Sequence, residues 1–146
     1  MEKLVLLVQA ASTWAMVGLI WFVQIVHYPL FARVGGAEFS AYEQLHQRLT
    51  TLVVAPLMFA ELGVAIWLCW SGSDVLPAWQ TWLGLGLVIV IWLSTAVLQV
   101  PAHEALANDF SVEQHAKLVG TNWIRTVAWS MRGVLVLWML SQTAKI

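Results

Sequence analysis

Four histidines, His27, His46, His103 and His115, stand at the ends of long apolar stretches in this 146-residue chain. His27 and His103 close the first and third stretches, while His46 and His115 open the second and fourth. In a chain that runs up-down-up-down across a bilayer, all four imidazoles reach one membrane face. Imidazole is the commonest protein ligand for transition metals, and it is also a general base near neutral pH. Three or four such nitrogens suit Cu, Fe or Zn. Glu43-x-x-His46 adds a carboxylate at the spacing used by di-metal helical bundles, but Glu113-Gln114-His115 on the fourth stretch breaks that pattern. A mononuclear site drawn from His27, His46, His103 and His115, with Glu43 at hand, therefore fits the inventory better. A bis-histidine haem, or a metal-free site in which histidine acts as base on a lipophilic substrate, are the alternatives.

The elements that must carry these residues are membrane helices. The chain is 60% hydrophobic and only 10% charged, against the roughly 25% charged residues of an average soluble domain. Leu4 to Ala32 and Val75 to Ala102 hold no Asp, Glu, Lys or Arg, and each exceeds the about 20 residues that span the hydrocarbon. Leu49 to Ser73 carries only Glu61, and Leu118 to Ala144 only Arg125 and Arg132. The expectation is an all-α, integral membrane four-helix bundle, a single transmembrane domain over 1–146 with helices at about 4–31, 40–71, 77–106 and 111–142. The first stretch is too long for a cleaved signal peptide and ends in His27-Tyr28-Pro29 rather than a small-residue cleavage site. The lone Cys69 cannot form an internal disulfide.

Ser71-Gly72-Ser73-Asp74 with Pro77 predicts a tight turn between the second and third helices. Trp67, Trp70, Trp79 and Trp82 bracket it, and Trp138 falls at the same end, as an interfacial aromatic belt would. The histidine end is then the opposite one. The two halves of the chain also resemble each other, as two similar helical hairpins. Phe39-Ser40 and Phe110-Ser111 open the second and fourth helices. Gln24, His27 and Pro29 in the first half are matched by Gln99, His103 and Pro101 in the second. Ser40-x-x-Glu43 and Ser111-x-x-Gln114 both fit a capping box, which is the main reading of Glu43.

Helical phase gathers the polar groups. At about 100° per residue, Glu43, His46, Thr50 and Glu61 share one stripe, as do Gln9, Thr13, Gln24 and His27. Trp92, Thr95, Gln99 and His103 do so on the third helix, and His115, Asn122, Arg125, Trp129 and Arg132 on the fourth. In lipid such faces turn toward neighbouring helices. Glu61 lies about as far below His46 as Arg132 lies below His115, so the two should pair. Arg125 is left over beside Asn122, a guanidinium and amide suited to an anionic or strongly polar ligand group.

His115-Ala116-Lys117-Leu118-Val119-Gly120-Thr121-Asn122-Trp123-Ile124-Arg125-Thr126, with Trp129 and Arg132 beyond it, resembles the last-helix signature of the anthrone-oxygenase-like family of small four-span membrane proteins. His27-Tyr28-Pro29-Leu30-Phe31 looks like the first-helix end of bacterial proteins of this sort. The resemblance implies an integral membrane oxygenase or related oxidoreductase of a bacterial inner membrane, acting on an aromatic, lipophilic substrate, with Asn122 and Arg125 as catalytic residues. In that reading the histidines hold a metal or take a proton, and Arg125 and Asn122 steady an oxyanion.

The partners so implied are the lipid bilayer and a small hydrophobic or anionic ligand, with a homo-oligomer left open. Seven basic against eight acidic residues give no basic patch for nucleic acid. The competing class is non-enzymatic: a metal or small-solute carrier, or a haem-binding or partner-binding subunit. Arg33, Arg48 and Lys117 at the histidine end against Lys3 and Lys145 at the other set no orientation by the positive-inside rule.

Overall fold

A backbone in hydrocarbon must satisfy its own hydrogen bonds, which a helix does within one segment. The computed structural model describes residues 2–72 and 75–143, and no strand occurs among the described residues. Helix α1 comprises Glu2–Phe22, a π-helical turn Val23–His27 and a final α-turn Tyr28–Phe31. Helix α2 is Gly36–Ser71. Helix α3 comprises Ala78–Ser94, a second π-turn Thr95–Gln99 and Val100–Asn108, and α4 is Val112–Thr143. Ser73 and Asp74 of the expected turn, and Ala144 and Lys145, lie outside the described residues.

Three of the four expected spans, α1, α2 and α3, are long and apolar enough to cross a membrane. Helix α4 is not among them. Its polar content is internal, however: Asn122, Arg125, Thr126 and Arg132 are buried, while Trp123, Ile124, Val127, Met131, Val134 and Trp138 are exposed.

Helix α2 starts four residues before the expected 40, because extended Gly35 (ψ 141°) precedes it and Glu38 occupies its first turn, where a carboxylate complements the helix dipole. Ser40 is thus already inside the helix, and the capping role of Glu43 is overturned. The Ser40 hydroxyl donates instead to the Ala107 carbonyl, joining α2 to the end of α3. The Ser111 cap holds: the Gln114 amide donates to the Ser111 hydroxyl at 3.4 Å.

Both π-turns stand directly before an X-Pro pair, Tyr28-Pro29 and Val100-Pro101. Proline has no N–H and its ring collides with the carbonyl four residues back in a regular helix. The widened turns relieve this: the Tyr28 amide reaches Val23 O and the Val100 amide reaches Thr95 O, each five residues back. The likeness of the two hairpins thus extends to their backbone.

Helix α1 packs on α2 and α4, and α3 packs on the same two, forming a helical bundle. At the end away from the histidines, Leu6, Leu68, Leu76, Leu135 and Met139 form an apolar plug. The expected tryptophans are exposed at that end, with Trp79 and Trp138 rings 5.3 Å apart. Above the plug, Glu61 and Arg132 form the expected pair, with Nε 3.1 Å from Oε1. Thr13 and Trp129 also donate to the Glu61 carboxylate, at 2.6 and 2.8 Å, and Arg132 Nη1 donates to Gly84 O at 2.6 Å. All four helices therefore meet at one buried charge pair. A Cβ on Gly133 would lie 3.2 Å from Val17 Cγ2 and 3.4 Å from Trp14 Cζ2, so this glycine lets α1 and α4 approach closely, as small residues do between membrane helices.

Candidate metal and ligand site

Helical spacing puts Glu43, His46, Gln47 and Thr50 on one side of α2, and the end of α3 brings His103 against them. The Glu43 carboxylate is fully buried and its Oε1 lies 2.5 Å from His103 Nδ1. Gln47 Nε2 donates to the same oxygen at 3.3 Å and to the His103 carbonyl at 3.0 Å. The other carboxylate oxygen, Oε2, is buried without a hydrogen-bond partner. Buried carboxylate oxygens are normally satisfied, so this orphan is a free ligand atom. Donor atoms of Glu43, His46 and His103 all lie within 4.8 Å of one another, a spread that ligand bonds of about 2 Å can bridge after small side-chain rotations.

His27 stands beside this group rather than in it, its Nε2 2.9 Å from His46 Nδ1. Thr50 Oγ1 lies 3.1 Å from the same His46 nitrogen. That spacing leaves no room for a porphyrin between His27 and His46. His115 is engaged elsewhere: its Nε2 donates to the Tyr28 carbonyl at 2.7 Å, tying the start of α4 to the end of α1. The four histidines thus resolve into His46 and His103 as donors, His27 as their neighbour and His115 as a clamp.

Phe31 lies among these rings. Its centroid is 4.9 Å from His27, 5.1 Å from His46 and 6.3 Å from His103, with Phe39 and Tyr42 on its far side. Phe31, Phe39, Leu106 and Leu118 are buried and cover the histidines from the loop end. The expected polar pocket at the membrane end is therefore capped, and its polar groups face inward.

Arg125 is the second half of the site. Asn122 Oδ1 accepts from its Nε at 2.9 Å and its Nη2 at 2.5 Å, and Asn122 Nδ2 donates to Gln24 at 2.7 Å. Asn122 is thus a positioning residue behind the guanidinium. Arg125 Nη1 donates to Thr95 and Nη2 to the Tyr28 hydroxyl, both at 3.3 Å. Among the described residues no carboxylate pairs with it, as its left-over status in the sequence implied. The Tyr28 hydroxyl also lies 2.9 Å from His103 Nε2. These partners assign one continuous chain, in which Arg125 donates to Tyr28 O, the Tyr28 O–H donates to His103 Nε2, and His103 Nδ1–H donates to Glu43.

His46, His103, Tyr28 and Arg125 all line one cavity of about 330 Å³. The rest of its wall is mainly apolar, with Met16, Ile20, Met58, Trp92 and Trp129 below the polar groups. Tyr28, Phe31 and Gln47 are site residues that sequence reasoning did not single out, whereas Thr95 was placed on the polar stripe of the third helix. The signal for the first two was present in the aromatic pair that follows His27 and flanks Pro29. Set against known proteins, the chain matches no family model, and neither a curated protein nor a solved structure is significantly similar to it.

Proposed function

We propose that this chain is an integral membrane oxidoreductase of the oxygenase type, whose four helices cross the bilayer up-down-up-down and enclose a transition-metal and substrate site. The observation that carries the reading is the shared cavity: two donors of the Glu43, His46 and His103 group open into the same space as an uncompensated Arg125. The exposed apolar face of α4 supports its place as a fourth span. The resemblance of the His115–Arg132 region to anthrone-oxygenase-like proteins points the same way and suggests a bacterial inner membrane.

A transition metal held by these residues, Cu, Fe or Zn by donor type, supplies Lewis acidity and, for Cu or Fe, electron transfer. The chain's own groups do the rest. Arg125 and the Tyr28 hydroxyl hold a substrate oxygen as it gains negative charge, in a dry cavity where such donors act strongly. Asn122 fixes the guanidinium. His103 serves as a ligand when a metal is held; without metal it can instead take a proton at Nε2, with Glu43 steadying the imidazolium. Dioxygen is the oxidant: an activated substrate CH2 loses its two hydrogens, one oxygen atom forms the new C=O and the other leaves with those hydrogens as water. A second reading, favoured by the Arg125–Tyr28–His103–Glu43 chain, is acid–base chemistry without metal.

Elemental analysis of protein purified without chelators tests this. Near-stoichiometric Cu, Fe or Zn is expected, lowered at least tenfold in affinity by His46→Ala, His103→Ala or Glu43→Gln, since even an orienting partner is worth about 10–100-fold. His115→Ala should keep the metal. Metal-free wild-type protein would overturn the metal site and leave the acid–base reading.

A further inference from the structure

We infer that the cavity receives its ligand sideways from the bilayer, through the seam between α2 and α3, and that this ligand is an amphiphilic monoanion bound head-first on Arg125. The inference rests on the substrate site proposed above and names its ligand class and entry route.

The route follows from which lining residues reach the outside. The walls contributed by α1 and α4 are closed: Met16, Ile20, Val23, Tyr28, Arg125 and Trp129 are all buried, and Leu19 is half-buried. The lining residues that are exposed are Thr51 and Phe59 on α2 and Val100 on α3. The mouth therefore lies between these two helices. The loop end is closed to it by the Phe31, Phe39, Leu106 and Leu118 cap. Around the mouth the outer surfaces are apolar, with Leu52 67%, Leu93 59% and Val97 66% exposed. That surface faces acyl chains, not water.

The seam is also where helix regularity is weakest. Pro56 stands inside α2 and the Thr95–Gln99 π-turn inside α3. Each removes or displaces a backbone hydrogen bond at the height of the cavity, where Ala55, Met58, Thr95 and Gln99 line it. Phe59 and Trp92 meet across the opening with ring centroids 5.1 Å apart. Phe59 is 61% exposed, so it can swing outward without leaving a void in the core. The two rings form the sill of the mouth.

The chemical class follows from what the cavity offers. At its inner end stand Arg125 with no carboxylate partner and the Tyr28 hydroxyl; toward the mouth the wall is mainly aliphatic and aromatic, with Thr50 and Thr51 on its α2 side. A buried guanidinium without a counter-ion is costly, and an incoming carboxylate, enolate or phenolate oxygen removes that cost. A neutral lipid would leave it in place, and a dianion would bring a charge for which Arg125 has no second partner. The head seats on Arg125 while the apolar body points to Phe59 and Trp92.

The test uses the full chain in lipid nanodiscs with dodecanoate carrying a diazirine near its tail end, photolysed and mapped by mass spectrometry. The expected labels fall on α2 and α3 residues around the mouth, such as Thr51, Phe59 and Val100, and excess dodecanoate removes them while dodecanol does not. Arg125→Gln should lower this competable labelling about tenfold or more, the worth of a charge-assisted hydrogen bond, and Arg125→Lys should restore part of it. Ala55 lines the cavity on α2 and is half-buried, so Ala55→Trp, which fills the seam, should block labelling while leaving metal content unchanged. Competable labels confined to the loop-end residues would overturn lateral entry, and equal competition by dodecanol would overturn the anionic head. Labelling lost together with metal in Ala55→Trp would show a collapsed site, and Phe59→Ala then decides: faster competable labelling upholds the mouth, and unchanged labelling refutes it. Failure of the metal site itself is read separately, from elemental analysis of the unmodified chain.

Discussion

Replacing Glu61 by Gln should be among the most damaging single changes in the protein. Glu61 is 2% exposed and Arg132 fully buried. Its carboxylate accepts from Arg132, Thr13 and Trp129 at 3.1, 2.6 and 2.8 Å. Gln keeps an acceptor for Thr13 or Trp129 but removes the charge, which strands a guanidinium whose Nη2 already lacks a partner. Breaking a buried pair in this way costs about 3–5 kcal/mol, a shift of roughly two to four powers of ten in the folded-to-unfolded ratio. Removing the cation as well, in Glu61→Gln with Arg132→Met, takes the stranded charge away. Only the Gly84 carbonyl then loses a donor. The double variant should therefore recover about 2 kcal/mol or more relative to the Glu61 single variant. Equilibrium unfolding in mixed detergent for the wild type, both singles and the double measures the coupling. Additivity within about 0.5 kcal/mol would refute the pair as the central tie of the four helices.

The two arginines should behave oppositely. Arg125→Gln is expected to fold with a melting temperature near wild type, because it relieves a desolvation cost, and to lose dodecanoate binding; Arg132→Gln should lose stability first. Melting curves beside binding decide it, and an Arg125→Gln protein that unfolds in the same detergent would place Arg125 in the scaffold. Gly133→Leu should overpack the α1–α4 contact against Val17 and Trp14 and cost about 1–3 kcal/mol. Gly86→Leu, with open space around its Cβ, is the control, and equal thermal stability of the two would show that helix approach at Gly133 is not tight.

Much of this was legible in the residues because helices this apolar leave their few polar side chains little choice but to face one another. Glu61 and Arg132 could be paired from their depth along two helices, and the freedom of Arg125 followed by subtraction. The helix ends at Ser71 and Ser111 carried ordinary breakers and caps. Ser40 misled because its capping pattern is real, while the geometry of Gly35 and the dipole complement of Glu38 start the helix a turn earlier. Glu43 was then free for His103, a tertiary contact that no local pattern announces. The four histidines looked equivalent by position, but an axial position fixes depth and not direction. His115 points to the Tyr28 carbonyl because α1 ends nearby with carbonyls that lack helical partners. Phe31 was not singled out as a site residue, because the aromatic pair flanking Pro29 marks its place in the chain but not the direction in which its ring turns.

The two widened turns have a consequence for how this chain can change. Each closes its ring over five residues instead of four, and therefore acts as a one-residue insertion within a helix. At about 100° per residue, everything beyond the insertion is rotated by that amount relative to an uninterrupted helix. The inward direction of Tyr28 and Phe31 is set by this count, as is that of His103 beyond the second turn. Exchanging Ile25 or Val97 for another apolar residue keeps the frame. Deleting either would swing the downstream side chains off the bundle axis and drive Pro29 or Pro101 back into a carbonyl. Between Gln24 and Phe31, and between Thr95 and His103, the number of residues is held more tightly than their identity.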